Sequence, residues 1–355
     1  MKNMKCKTLI AIAILGMASM LSRCAHHKAA SSGAIQSLLS PELQKKIREA
    51  MDSVVEIVNV REYRIEQFEY DRQNGRFIRD PQSPTGYRLR GGSALFGVTF
   101  DREINKAFGA GLLLMHNDRQ ALILTSSHLA TSADTLLSYY SLPNEQSPDS
   151  LSPPLFSRAV AIKTDLGVRH QSQILARAQL IANDERNDIA LLTAAWRPGL
   201  ATPFAAAFAY DQPFGIGEIG VAVGFPDEIK QVTFGMISGA PYPKNFSLGI
   251  VGRFGFSGCP VLVIRQHSEM VLVGIGRGAP VSETAMIAPP DDFVNGYYLQ
   301  PEDLSRLRVR RIQQINYGSL YCVDVQRIGE FIAANQHKLR ELGFYLPDRF
   351  LPDND

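Results

Sequence analysis

Residues 109–128 read Gly109-Ala110-Gly111-Leu112-Leu113-Leu114-Met115-His116-Asn117-Asp118-Arg119-Gln120-Ala121-Leu122-Ile123-Leu124-Thr125-Ser126-Ser127-His128. Two apolar runs, 111–115 and 121–125, flank a polar break, and the second runs into a histidine. Runs this short have the length of strands rather than helices. The same texture recurs outward in both directions, with short runs of Val, Ile, Leu and aromatics separated by Gly, Pro, Asn and Asp. Candidate strands are 53–60, 111–115, 121–125, 159–163, 174–181 and 189–193, then 218–224, 231–237, 248–252, 261–264, 270–275 and 319–323. These two groups of six are separated by the Pro- and Ala-rich stretch 196–214. They predict an all-β barrel or sandwich built from two groups of about six strands.

Two helices frame this domain, which spans residues 40–343. Ser40 as N-cap and Pro41 at the first helical position open one that runs to Met51. Asp324 caps a closing helix over 325–342, with apolar residues at helical spacing up to Gly343, and 344–355 form a tail. Segments 61–106 and 141–154 are polar and read as surface insertions.

With 45% hydrophobic and 20% charged residues, the 355-residue chain has the composition of a globular protein with a sizeable core. Its net charge of +2 gives no basic stripe for a phosphate backbone, which excludes nucleic acid as a partner. Lys2, Lys5 and Lys7 precede an apolar run over 9–21, so residues 1–24 read as an export signal. That run is shorter than the roughly 20 residues a spanning helix needs. Leu21-Ser22-Arg23-Cys24 resembles the lipobox of bacterial lipoproteins, which implies a lipid on Cys24, a membrane anchor, and a place in the periplasm or cell envelope. Arg23 departs from the small residue usual there and leaves plain cleavage or an uncleaved anchor as alternatives. Residues 25–39 follow as a small, polar tether, and His26-His27 within it reads as solvated linker. The remaining cysteines, Cys259 and Cys322, either pair in a disulfide closing a loop of 63 residues or pack as separate small hydrophobes. Without any Cys-x-x-Cys pair, no metal site is expected.

Two further motifs lie at the edges of later runs: Asn187-Asp188-Ile189-Ala190-Leu191-Leu192 and Gly255-Phe256-Ser257-Gly258-Cys259-Pro260. They bring His128, Asp188 and Ser257 into one chain order, spaced by 60 and 69 residues. A serine hydroxyl is a weak nucleophile at neutral pH. It needs an imidazole to take its proton and a carboxylate to hold that imidazole in one tautomer.

Taken with Gly217-Glu218 through Val223-Gly224-Phe225-Pro226 and Val232-Thr233-Phe234-Gly235-Met236-Ile237-Ser238, these motifs resemble the trypsin-like serine proteases, particularly their bacterial HtrA-type branch. The resemblance covers about residues 51–342, and its strength lies in five ordered matches. It implies an all-β fold of two six-stranded antiparallel β-barrels, over about residues 52–195 and 214–323, and a serine endopeptidase acting on protein or peptide substrates, with His128 as general base and acid, Asp188 as its orienting carboxylate and Ser257 as nucleophile. The N–H groups of Gly255 and Ser257 become the oxyanion hole, where losing one donor typically costs about 2.7–4 kcal/mol. Val251, Gly276, Arg277 and Gly278 become substrate-binding positions, with Val251 at the base of the primary pocket. Arg277 either favours an acidic substrate residue or points outward. No organic or metal cofactor is implied. Phe256 stands where trypsin has an aspartate and HtrA relatives commonly an asparagine, so an apolar core has to anchor the nucleophile turn. No PDZ domain is expected after the closing helix. The alternative reading is a trypsin-fold pseudoprotease that binds proteins, because fold alone does not prove activity.

Overall fold

A computed structural model describes residues 40–71, 76–83, 86–89, 102–131, 133–139, 155–170, 173–197, 201–211, 214–239, 243–265, 269–288 and 308–352. The expected export signal over 1–24, Cys24 and the expected tether over 25–39 lie outside the described residues. The chain divides into two compact units, Met1–Glu49 and Ala50–Asp355. Helix α1 (Pro41–Asp52) is capped as its sequence predicts, with Ser40 Oγ accepting the Leu43 N–H at 3.1 Å. No described helix is long and apolar enough to cross a membrane.

The second unit holds both barrels. In chain order the first half comprises β1 (Val54–Gln67), the short hairpin β2 (Tyr70–Asp71) and β3 (Arg76–Phe77), β4 (Arg102–His116) and β5 (Gln120–Thr125). A single helical turn α2 (Ser127–Ala130) precedes β6 (Thr135–Tyr139), β7 (Leu155–His170), β8 (Gln173–Asp184) and β9 (Ile189–Ala195). The order β1-β4-β5-β9-β8-β7, with β7 pairing back on β1, closes a six-stranded antiparallel barrel, and β6 adds to one end of β7. Val55, Ile57, Leu113, Ile123, Val168, Ala190 and Leu192 pack together as its core. Leu112, Leu114, Leu122, Leu124 and Leu191 on intervening positions are also fully buried. Burial on both faces explains why these segments are unbroken apolar runs instead of alternating ones.

The second half comprises β10 (Ile219–Gly224), β11 (Gln231–Gly239), β12 (Asn245–Gly249), β13 (Pro260–Ile264), β14 (Met270–Gly278), a separate hairpin of β15 (Val281–Ala288) and β16 (Arg308–Ile315), and β17 (Leu320–Asp324). Here β10-β11-β12-β17-β14-β13 close a second antiparallel barrel. The fold is trypsin-like. Between the barrels, residues 202–209 tie to both, since Phe204 N–H donates to Leu113 C=O and Ala209 N–H to Leu272 C=O, each at 2.9 Å.

Several features differ from the sequence reading. Strands β1, β4 and β7 extend into segments rich in charged residues. Strand β6 and the β15–β16 hairpin were not expected, because neither carries a distinct apolar run. The closing helix is two helices, α3 (Val325–Ala334) and α4 (Gln336–Glu341), broken at Asn335. The Asn335 side chain donates to Phe331 C=O at 2.8 Å, and its backbone (φ −107°, ψ 5°) leaves the helical range. Asp324 does cap α3, accepting from Arg327 N–H at 3.0 Å. The disulfide weighed between Cys259 and Cys322 is not formed. Both are free and fully buried, and Cys322 donates weakly to Leu320 C=O at 3.5 Å. They serve as small hydrophobes, and burial pushes the Cys259 thiol up to about 12.

A charge network crosses between the barrels. Arg169 of β7 forms a fork with Glu56 of β1, one arm being Nε to Oε2 at 2.9 Å, and it also meets Glu228 from the turn after β10. Lys106 of β4 reaches the same Glu228. Hydrogen bonding to Glu56 holds the Arg169 guanidinium above its ordinary range against the opposing effect of burial. The Glu56 side chain is only 2% exposed, and this guanidinium is its ion-pair partner. Arg169→Met should therefore cost about 3–5 kcal/mol in urea unfolding, by leaving a buried carboxylate uncompensated. The double variant Glu56→Gln/Arg169→Met should recover part of that loss.

Candidate active site

His128 follows the end of β5. The polar residues before it are buried and matched: Thr125 Oγ1 donates to Ala110 C=O at 2.6 Å, and Ser126 Oγ donates to Gly276 C=O at 2.9 Å. Asn59 Nδ2 donates to Leu129 C=O at 3.0 Å. The Thr-Ser-Ser run is thus a set of hydrogen-bonding anchors that orient α2 and leave the imidazole 46% exposed.

Asp188 closes the turn between β8 and β9 in a left-handed conformation (φ 59°), which aspartate tolerates better than most residues. Asn187 fixes the turn by donating its backbone N–H and its side-chain amide to Asp184 at 3.0 and 2.5 Å. Burial pushes the Asp184 carboxyl up, but these hydrogen bonds outweigh it and hold the group below its usual range. The Asp188 carboxylate accepts the His128 backbone N–H on Oδ1 at 2.9 Å. His128 Nδ1 lies 3.0 Å from Oδ1 and 2.8 Å from Oδ2. Because a carboxylate can only accept, this geometry puts the ring proton on Nδ1 and leaves Nε2 as the acceptor.

Ser257 sits on a tight turn whose shape is set by packing. Phe256 N–H donates to Arg253 C=O at 3.3 Å, and Gly255 between them has φ 103°. Positive φ at the third position of such a turn is the type II arrangement. A Cβ on Gly255 would lie 2.2 Å from Phe225 C=O, so only glycine fits. Phe256 is buried to 3% exposure against Gly224, where a Cβ would come within 2.6 Å of its ring. The apolar side chain has the core slot it needs. Among the described residues, the N–H groups of Gly255 and Ser257 donate to no protein acceptor.

His128 and Ser257 both line one cavity of about 410 Å³, walled also by Phe108, Phe254, Arg277 and Tyr317. No hydrogen bond joins the Ser257 hydroxyl to the imidazole among the described residues. Such contacts are often loose until substrate is bound.

The candidate substrate positions separate. Arg277 and Gly278 line the cavity, whereas Val251 does not and is 61% exposed. Gly276 is buried with its backbone fully engaged. Its C=O accepts from Gly258 N–H (2.7 Å) and Ser126 Oγ, and its N–H donates to Cys259 C=O (2.8 Å). The stretch facing the cavity thus runs from Arg277 to Ala279. Arg277 itself is the extra residue of a β-bulge between Gly276 and Gly278, and bulges leave little trace in sequence. Lys106 and Phe108 of β4, and Tyr317, also line the cavity and were not singled out from sequence. For β4, adjacency to Gly109 was the available signal. Among the described residues, no group of three or more His, Cys, Asp or Glu could hold a metal.

No family model and no curated protein sequence matches the chain. Solved structures do. A variant of the HtrA-type protease AlgW with decapeptide has 12% identity and a TM-score of 0.46, over 86% of this chain and 68% of that one. The HtrA-type protease AlgW with decapeptide has 13% identity and a TM-score of 0.44, over 85% and 68%.

Since the turn bearing Ser257 packs the large apolar ring of Phe256 into the core, Phe256→Ala should destabilise the domain by about 3–5 kcal/mol, read by denaturant unfolding.

Proposed function

We propose that this chain is an exported serine endopeptidase that cleaves peptide bonds through an acyl-enzyme intermediate. The observation that carries the reading is the two-oxygen contact of Asp188 with His128 Nδ1, on an imidazole that shares a cavity with Ser257. In this scheme His128 Nε2 takes the Ser257 hydroxyl proton as Oγ attacks the substrate carbonyl carbon. The carbonyl oxygen becomes an oxyanion facing the N–H groups of Gly255 and Ser257. Collapse breaks the C–N bond, and His128 gives its proton to the leaving amine. Water then repeats the sequence on the ester, with His128 as base, and restores Ser257. The unpartnered N–H groups and the glycine-dependent turn support this assignment, as does the fold.

The test is a fluorophosphonate probe on the purified domain, alongside casein hydrolysis. Wild type should be labelled and should release peptides. Ser257→Ala should lose both, with its unfolding midpoint kept. Well-folded wild type that takes up no probe would instead favour the protein-binding module.

Export and lipid anchoring belong to the same proposal. They rest on Lys2, Lys5 and Lys7, the apolar run after them, and Cys24 behind it. Mass spectrometry of the mature N-terminus should find a diacylglyceryl-modified Cys24 as the first residue. An unmodified Cys24 would remove the anchor.

A further inference from the structure

Resting on the hydrolase reading above, we propose that Arg277 is a positioning residue that stabilises the Asp188 carboxylate while His128 is neutral and opposes the charge when His128 takes a proton. Strand β14 pairs Gly276 with Cys322 and Gly278 with Tyr321, so Arg277 is the extra residue of a β-bulge. A bulged residue is released from the ladder and its side chain is re-aimed. Here it turns toward the β8–β9 turn, where Arg277 Nε lies 3.9 Å from Asp188 Oδ2 and Nη2 lies 3.5 Å from Arg186 C=O.

The charge arrangement explains why that contact matters. The Asp188 side chain is only 9% exposed, and its described ion-pair partners are His128 and Arg277. While the imidazole is neutral, Arg277 is the sole cation within 4.0 Å of this carboxylate among the described residues. A buried carboxylate left without a cation is strongly disfavoured. Once the imidazole is protonated, Asp188 has a second cation and Arg277 repels it. Arg277 thus weakens proton uptake by His128 while keeping the carboxylate charged and in place. The other charges facing this site come from several elements. Lys106 of β4 and Arg253 of the nucleophile turn line the same cavity, but Lys106 is held by Glu228 and Arg253 lies 3.4 Å from Asp227. Asp184, Glu185 and Arg186 lie in the Asp188 turn itself. The Arg277 side chain is 42% exposed, so solvent reduces its influence to a modest shift.

The experiment is a proton titration of the His128 ring by NMR in the full chain carrying Ser257→Ala, with the resonance assigned by its loss in His128→Gln. Replacing Arg277 by Met should raise the titration midpoint by about 0.5–1 pH unit. Arg277→Gln should do the same, and Arg277→Lys should restore most of the wild-type value. With Ser257 present, the acidic limb of kcat/KM should move in the same direction, beyond any change in KM. An unmoved midpoint in both neutral variants, or a Lys variant that titrates like the Met variant, overturns the proposal. The NMR midpoint needs no turnover. Absence of hydrolysis therefore counts against the protease reading alone, and an unmoved midpoint counts against the role of Arg277 alone.

Discussion

At the serine turn, the two barrels meet through backbone. Ala110 N–H donates to Ser257 C=O at 2.7 Å, and the neighbouring glycines leave no room for anything between the chains. A Cβ on Gly258 would lie 2.1 Å from Ala110 C=O, and one on Gly109 would lie 2.6 Å from Ser257 C=O. A buried hydrogen bond nets only about 1 kcal/mol, but leaving its partners unmatched costs about 1–3 kcal/mol. The seam therefore acts mainly as a constraint. It fixes β4 and the end of β5 on one side against the serine turn and β14 on the other. Everything near the cavity inherits its position from that contact, including His128 one residue beyond the Ser126 and Ser127 anchors.

A second constraint holds the serine turn from its far side. Phe225 N–H donates to Gly255 C=O at 2.9 Å, and Asp227 and Glu228, just beyond Pro226, both have positive φ. Non-glycine residues rarely take that conformation without compensation. Here the compensation is visible in the ion pairs of Glu228 with Lys106 and Arg169, which anchor the strained segment to the first barrel. Hydrogen bonding from Lys106 lowers the Glu228 carboxyl below its usual range. The strap joins the turn that carries Ser257 to a buried arginine in the other barrel, through one carboxylate.

Both barrels were legible because burial on two faces writes strands as plain apolar runs, as in Leu122-Ile123-Leu124 and Val261-Leu262-Val263. The candidate residues His128, Asp188 and Ser257 stand out in the sequence because each lies beside a turn whose residue types have a separate local cause: the hydroxyl anchors at 125 and 126, the Asn187 contacts to Asp184, and the glycine at 255. What escaped has several origins. The bulge at Arg277 leaves no mark in the sequence, because one extra residue in a ladder needs no distinctive residue type. Strand β6 and the β15–β16 hairpin escaped because they add to the edges of the barrels or stand apart from them, with no core to demand an apolar pattern. The break at Asn335 escaped because helical periodicity continues on both sides of it.

Phe256 links these observations. In the trypsin-like pattern that the sequence resembles, this position carries a polar side chain, and in trypsin its charge waits on a newly freed amine. Here a ring buried to 3% exposure holds the turn against Gly224, and nothing in that contact titrates or depends on cleavage elsewhere. The type II shape at Gly255 and the unpartnered N–H groups beside Ser257 are therefore consequences of core packing and of the seam. Arg277, aimed by a bulge at the buried Asp188 carboxylate, is then a charged group through which the electrostatics of the site can differ from its packing.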